Sequence, residues 1–128
     1  MKINLKHPGR CYIVGKNDQV TITDCGTIEL VPDEQVTFVS HEGAEYDLVA
    51  KDFGYYATPS TNGRLASFGL KTVLVKNSIG RVFVLLVHTT KLAEFWKYVD
   101  IEGLEILGWL DDEEFIAGLS KPATVQNA

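Results

Sequence analysis

Apolar and polar residues alternate through the first half of the chain. Residues 19–23 (QVTIT) and 35–40 (QVTFVS) carry an apolar side chain at every second position, the pattern of a strand with one face buried and the other in water. Residues 1–5, 10–14 (RCYIV), 27–31 and 45–50 (EYDLVA) read as further short strands. Between them lie turn signals: His7-Pro8-Gly9, Gly15-Lys16-Asn17-Asp18, Asp24-Cys25-Gly26, Pro32-Asp33-Glu34 and His41-Glu42-Gly43-Ala44. The pattern predicts a meander of antiparallel strands.

The second half changes period. Residues 70–77 (LKTVLVKN) and 81–87 (RVFVLLV) are the most hydrophobic strands, with Asn77-Ser78-Ile79-Gly80 as the hairpin loop between them. Residues 82–87 hardly alternate, which predicts a strand at the sheet centre covered on both faces. Leu92, Phe95, Trp96 and Val99 then recur at i, i+3, i+4 and i+7, the stripe of an amphipathic helix over about 91–99, capped by Thr90 and ended by Gly103. Residues 104–110 (LEILGWL) predict a strand with Gly108 as a bulge. Asp111 and Glu114 form a D-x-x-E cap for a last helix whose buried face is Phe115, Ile116 and Leu119. Residues 121–128 carry no core-forming pattern and read as a flexible tail. The expected fold is a single α+β domain over 1–120, a mainly antiparallel sheet with two or three short helices, mostly in the C-terminal half.

The central stretch combines strand and loop. Gly54-Tyr55-Tyr56-Ala57 reads as extended, and a strand there would place at most one of the two tyrosines in the core. An uninterrupted polar run follows, Thr58-Pro59-Ser60-Thr61-Asn62-Gly63-Arg64. Pro59 biases Thr58 away from helix. Ser60 is placed to cap a short helix with Leu65 and Phe68 on one face and Gly69 just past its end, although Asn62-Gly63 is also a turn dipeptide. Tyr55, Tyr56, Thr58, Ser60, Asn62 and Arg64 together offer aromatic faces, hydroxyls, an amide and a guanidinium. Such a set suits a sugar or sugar phosphate: rings stack on tyrosine, hydroxyls pair with Ser and Asn, and a phosphate takes the arginine fork. The same residues also read as a capped turn with tyrosines packed on the sheet.

Composition narrows the classes. The 128 residues carry a net charge of −5, which argues against a nucleic-acid partner because a phosphate backbone calls for a basic face. No apolar run approaches the ~18 residues of a membrane-spanning helix. Residues 1–6 lack the apolar core of a signal peptide, so no membrane association and a cytoplasmic location are expected. Cys11 and Cys25 match neither redox nor zinc spacing. His7, His41 and His88 are isolated in sequence, so no metal site and no cofactor are expected. The late carboxylates, from Asp100 to Glu114, read as capping and solvating groups. Tyr56, Lys51, Asp47 and His88 are acid/base candidates by type, and spacing aligns none of them.

Residues 33–40 (DEQVTFVS), 45–65 (EYDLVAKDFGYYATPSTNGRL), 68–77 (FGLKTVLVKN) and 107–114 (LGWLDDEE) resemble small uncharacterised bacterial proteins associated with surface-polysaccharide (O-antigen or capsule) biosynthesis clusters. The resemblance implies a cytoplasmic accessory protein near nucleotide-sugar or sialic-acid-like sugar synthesis and transfers no site residue. Three functional readings follow. The first is a non-catalytic binding or accessory protein holding a sugar, sugar phosphate or partner at the 55–64 turn. The second is a small enzyme on a nucleotide-sugar or sialic-acid-like intermediate, using Tyr56, Lys51 or His88. The third is a homodimeric interaction module joined through a sheet edge or the aromatic helix at 92–99, with the exposure of Trp96 as its indicator.

Overall fold

The computed structural model describes residues 1–120. The tail expected at 121–128 lies outside the described residues. The chain divides into two compact units, Met1–Thr58 and a second beginning at Pro59. Both are built on antiparallel sheet, and the helices all lie in the second, so the architecture is α+β with its helices towards the C-terminal half.

In the first unit, β1 (Lys2–Val14) and β2 (Val20–Glu29) form a two-stranded ribbon. Pairing runs from Lys2↔Glu29 to Leu5↔Gly26, shifts register, and resumes from Arg10↔Asp24 to Val14↔Val20. The expected turns at His7-Pro8-Gly9 and Asp24-Cys25-Gly26 are therefore corrected: both segments lie inside strands, at the register shift. The turn-forming residues build a bulge instead. The His7–Pro8 peptide is cis, and Gly26 has φ +142°. A side chain on Gly26 would fall on the Asn4 carbonyl. Asp24 fixes the bulge, accepting from the Gly26 N–H (3.2 Å) and from Lys6 Nζ (2.6 Å). The turn between the strands is as expected, with Asn17 and Asp18 at φ +68° and +53°, values that asparagine and aspartate tolerate.

A meander completes this unit: β3 (Gln35–Val39), β4 (Glu45–Lys51) and β5 (Gly54–Ala57), in that spatial order. Only Ala44 and Ala50 are buried among the apolar residues of the first unit.

The second unit opens with α1 (Arg64–Ser67) and continues through β6 (Leu70–Lys76), β7 (Val82–His88), a 3₁₀ turn (Thr89–Lys91), α2 (Leu92–Glu102), β8 (Glu105–Trp109) and α3 (Glu113–Leu119). The sheet order is β7-β6-β8. On one face Val73 and Val75 of β6, Val87 of β7 and Phe95 of α2 form the core, with Leu85, Leu92, Val99, Leu104, Ile106 and Trp109 packed around it. Gly108 leaves room on β8 for the Phe115 ring of α3, which would collide with any side chain there. Leu65 is the fully buried residue of α1.

Several local expectations are corrected. Phe68 is exposed rather than sharing the buried face of Leu65, because α1 is a single turn. The α2 helix starts one residue late, after the 3₁₀ turn, with no side-chain cap from Thr90. Asp112, not Asp111, caps α3, accepting from the Glu114 (3.0 Å) and Phe115 (3.5 Å) N–H groups. Leu119 is exposed at the end of that helix. The largest correction concerns β7. Residues 82–87 were expected at the sheet centre, and β7 is an edge strand. Its side chains stay open to solvent: Val82 54%, Phe83 48%, Val84 61% and Leu86 36%.

Candidate functional site

The 55–64 stretch crosses the division between the two units. Tyr55, Tyr56 and Thr58 belong to the first; Ser60, Asn62 and Arg64 belong to the second. On β5, Tyr55 pairs with Ala50 and Tyr56 with Val49, so the rings project to opposite faces of the meander. Both are exposed, at 69% and 51%, so neither serves as core. Tyr56 shares its face with Asp47, Val49 and Lys51 of β4, by register. On that face Asp47 accepts from Thr37 Oγ1 (2.6 Å) and from Thr58 Oγ1 (3.4 Å). The Lys51 ammonium is bound to Asp33.

In the second unit, Ser60 acts locally. Its Oγ accepts from the Arg64 N–H (3.2 Å) and its carbonyl accepts from the Leu65 N–H (3.0 Å). The expected cap is thereby corrected: the N-cap residue of α1 is Gly63, with no side-chain cap, and Ser60 serves the turn that precedes it. The Arg64 guanidinium lies 5.6 Å from the centre of the Phe68 ring, and Asn62 is exposed. Ser60 and Arg64 therefore both have structural roles within their own turn. Of the acid/base candidates, Lys51, Tyr56 and Asp47 share one sheet face in the first unit, and His88 ends β7 in the second.

The second candidate lies along β7; the sequence pointed to a sheet edge or the helix at 92–99 as an interaction surface without saying which edge. Asn77 N–H donates to the Arg81 carbonyl (2.9 Å) and Thr89 N–H donates to the Gly69 carbonyl (3.0 Å). Odd-numbered residues here thus turn their backbone towards β6. Successive residues of an antiparallel strand hydrogen-bond to opposite sides, so the N–H and C=O groups of Val82, Val84, Leu86 and His88 point outward. Among the described residues no strand pairs with them. Alongside runs an open groove of about 490 Å³, lined by residues 84–88 of β7 and by Lys91, Glu94, Phe95 and Tyr98. Trp96, on the same helix, is half-exposed. The signal in the sequence was the non-alternating run 82–87: an apolar face beyond what one sheet face can bury.

The other edge of this sheet is different. The β8 strand is five residues long, carries Glu105, and has a bulge where it meets Leu74 and Val75 of β6. Short length, charge and bulges are the usual guards of an edge strand. Residues 82–87 of β7 contain no charge, no proline and no bulge.

Among the described residues, no group of three or more His, Cys, Asp or Glu side chains is placed to hold a metal ion. Cys11 and Cys25 are free and exposed. No helix of the described residues is long and apolar enough to cross a membrane. Comparison with protein-family models, with curated proteins and with solved structures finds no match to the chain.

Proposed function

We propose that the chain is a protein-interaction module that docks an extended strand on β7, beside α2. The observation that carries this reading is the unguarded β7 edge. Its outward backbone groups supply a hydrogen-bonding row, and the shallow apolar groove supplies a surface for side chains, the two elements of recognition by strand addition. A labelled peptide of residues 81–89 is the direct probe, since it presents a strand of suitable pattern. It should bind saturably, and Val84→Pro should abolish binding while leaving the fold intact. Proline removes an N–H that points away from β6, a loss that an edge strand tolerates. Failure of the peptide to bind the chain at a dilution where light scattering shows one copy, with β7 unoccupied, would overturn the reading.

A second reading is favoured by the two exposed tyrosines of β5. Here the chain is a cytoplasmic accessory protein of surface-polysaccharide synthesis that holds a sugar, sugar phosphate or partner on the meander face that carries Tyr56, Asp47 and Lys51. Support comes from the sequence resemblance and from the outward rings, which are free to stack on a sugar. A thermal-shift screen over nucleotide sugars and sugar phosphates tests it. A ligand at 100 times its dissociation constant adds roughly 2.7 kcal/mol of stability. That gain should vanish in Tyr56→Ala; no shift across the panel would sink this reading.

A further inference from the structure

We infer that the strand docked on β7 is β7 of a second copy, antiparallel, with the twofold axis at Leu85. This rests on the strand-docking reading and adds the partner and the register. With the axis at Leu85, Val82 lies opposite His88 of the other copy and Val84 opposite its Leu86. Those are the four residues whose backbone groups point outward, so every outward group is used. Leu85 meets Leu85 across the axis at a non-hydrogen-bonded position. Faces are preserved as well. Phe83, Leu85 and Val87, on the α2 side by their pairing with Val75, Val73 and Lys71, meet the same three residues of the second copy.

Charge fits this pairing. Among the described residues, neither the Arg81 guanidinium nor the Glu94 carboxylate has an ion-pair partner. The antiparallel arrangement places Arg81 of one copy opposite Thr89 of the other, at the end of the groove where Glu94 stands. Lys91, on the same wall, already has an interaction within its own chain. Area fits too. The exposed parts of Val82, Phe83, Val84, Leu86 and Tyr98 offer roughly 500 Å² per copy before the backbone edge is counted, against about 800 Å² per partner in a standard interface. A twofold pair is also the commonest closed assembly.

The test uses the full chain with Cys11→Ser and Cys25→Ser. Light scattering should give twice the 14.2 kDa of one chain, and Val84→Pro should return the mass to that of one chain. Adding Leu85→Cys should yield a disulfide-linked dimer under mild oxidation, because facing Cα atoms at such a position lie about 4.5 Å apart. Adding Val82→Cys instead should not, since residue 82 opposes 88 in this register. Should Leu85→Cys fail to fold, the Arg81→Glu and Glu94→Arg pair carries the register test. Either single change should weaken the dimer ~5-fold, as for a modest ion pair, and the double change should restore it. A monomeric mass at high concentration overturns the proposal. If the 81–89 peptide still binds that monomer, strand docking stands with another partner; if it does not, both readings fall. A dimer that survives Val84→Pro, or that cross-links through residue 82 and not 85, also overturns it.

Discussion

The two units devote similar lengths of chain to very different interiors. In the second, Leu65, Leu70, Val73, Val75, Val87 and Phe95 are all buried around one sheet. In the first, Ala44 and Ala50 alone are buried, and the ribbon pairs Ile3↔Ile28 and Tyr12↔Ile22 stay exposed. Alternation in sequence is as clear in the first unit as in the second. It shows which face of a strand is apolar and not whether anything covers that face. The first unit therefore rests on its hydrogen-bond ladder, its bulge and cross-strand pairs. The second rests on apolar burial, which contributes about 25 cal/mol per Å².

Core truncation should separate the two most strongly. Leu65→Ala removes a fully buried side chain and should cost about 2–5 kcal/mol, whereas Ile22→Ala should change stability by no more than about 0.5 kcal/mol. Chemical denaturation of both variants checks this; equal losses would mean that the ribbon has a core after all. Next in size is Gly26→Ala. It forces a side chain into a positive-φ position against the Asn4 carbonyl, a strain of order 1–3 kcal/mol. Amide exchange should speed up across β1 and β2 and stay unchanged in β6. Faster exchange in β6 as well would show that the units open together. Asp112→Ala should cost about 1 kcal/mol through loss of the α3 cap, with protection lost at Glu114 and Phe115 and kept throughout β1 and β2.

The smallest effect is acid sensitivity. The Lys6 hydrogen bond, then the Gly26 N–H, hold the Asp24 carboxyl below the usual carboxylate range. The Val31 N–H, then the chain's amino group, do the same for Glu34. Both groups are in the first unit. A depressed folded pKa contributes stability above the unfolded value, near pH 4, and that contribution is lost as pH falls through the folded value. Acid should thus loosen β1 and β2 before β6, and Asp24→Asn should flatten the response. An NMR titration of the strand amides reads both; simultaneous loss in the two units would break the comparison.

The legible parts of this fold were those set by local pattern: the meander β3–β5, the β6–β7 hairpin, the α2 stripe and its end at Gly103. What could not be read depended on cross-strand geometry. His7-Pro8-Gly9 and Asp24-Cys25-Gly26 have turn chemistry whether they reverse the chain or lie opposite one another as a bulge, and only the register distinguishes these. Residues 82–87 were read as a central strand because they hardly alternate, but an unbroken apolar run does not say which neighbours a strand has, and β7 lies at an edge with most of its side chains exposed. At the candidate site, the position of Ser60 after Pro59 pointed to a cap, but α1 is so short that its N-cap is Gly63 and Ser60 serves the turn before it. That both Tyr55 and Tyr56 would be exposed was not, because it depends on the lack of an interior in the first unit.

The unequal edges of the β7-β6-β8 sheet also set a limit on growth. A sheet open at both edges can keep recruiting strands and lengthen into a fibre. Here one edge is guarded by the bulge and Glu105 of β8, so only the other can accept a strand. Once β7 is occupied by a like strand, the merged sheet ends in a β8 edge on each side. Under the proposed pairing, association along this sheet would terminate at two copies, and an apolar edge that would otherwise promote aggregation would become a means of counting.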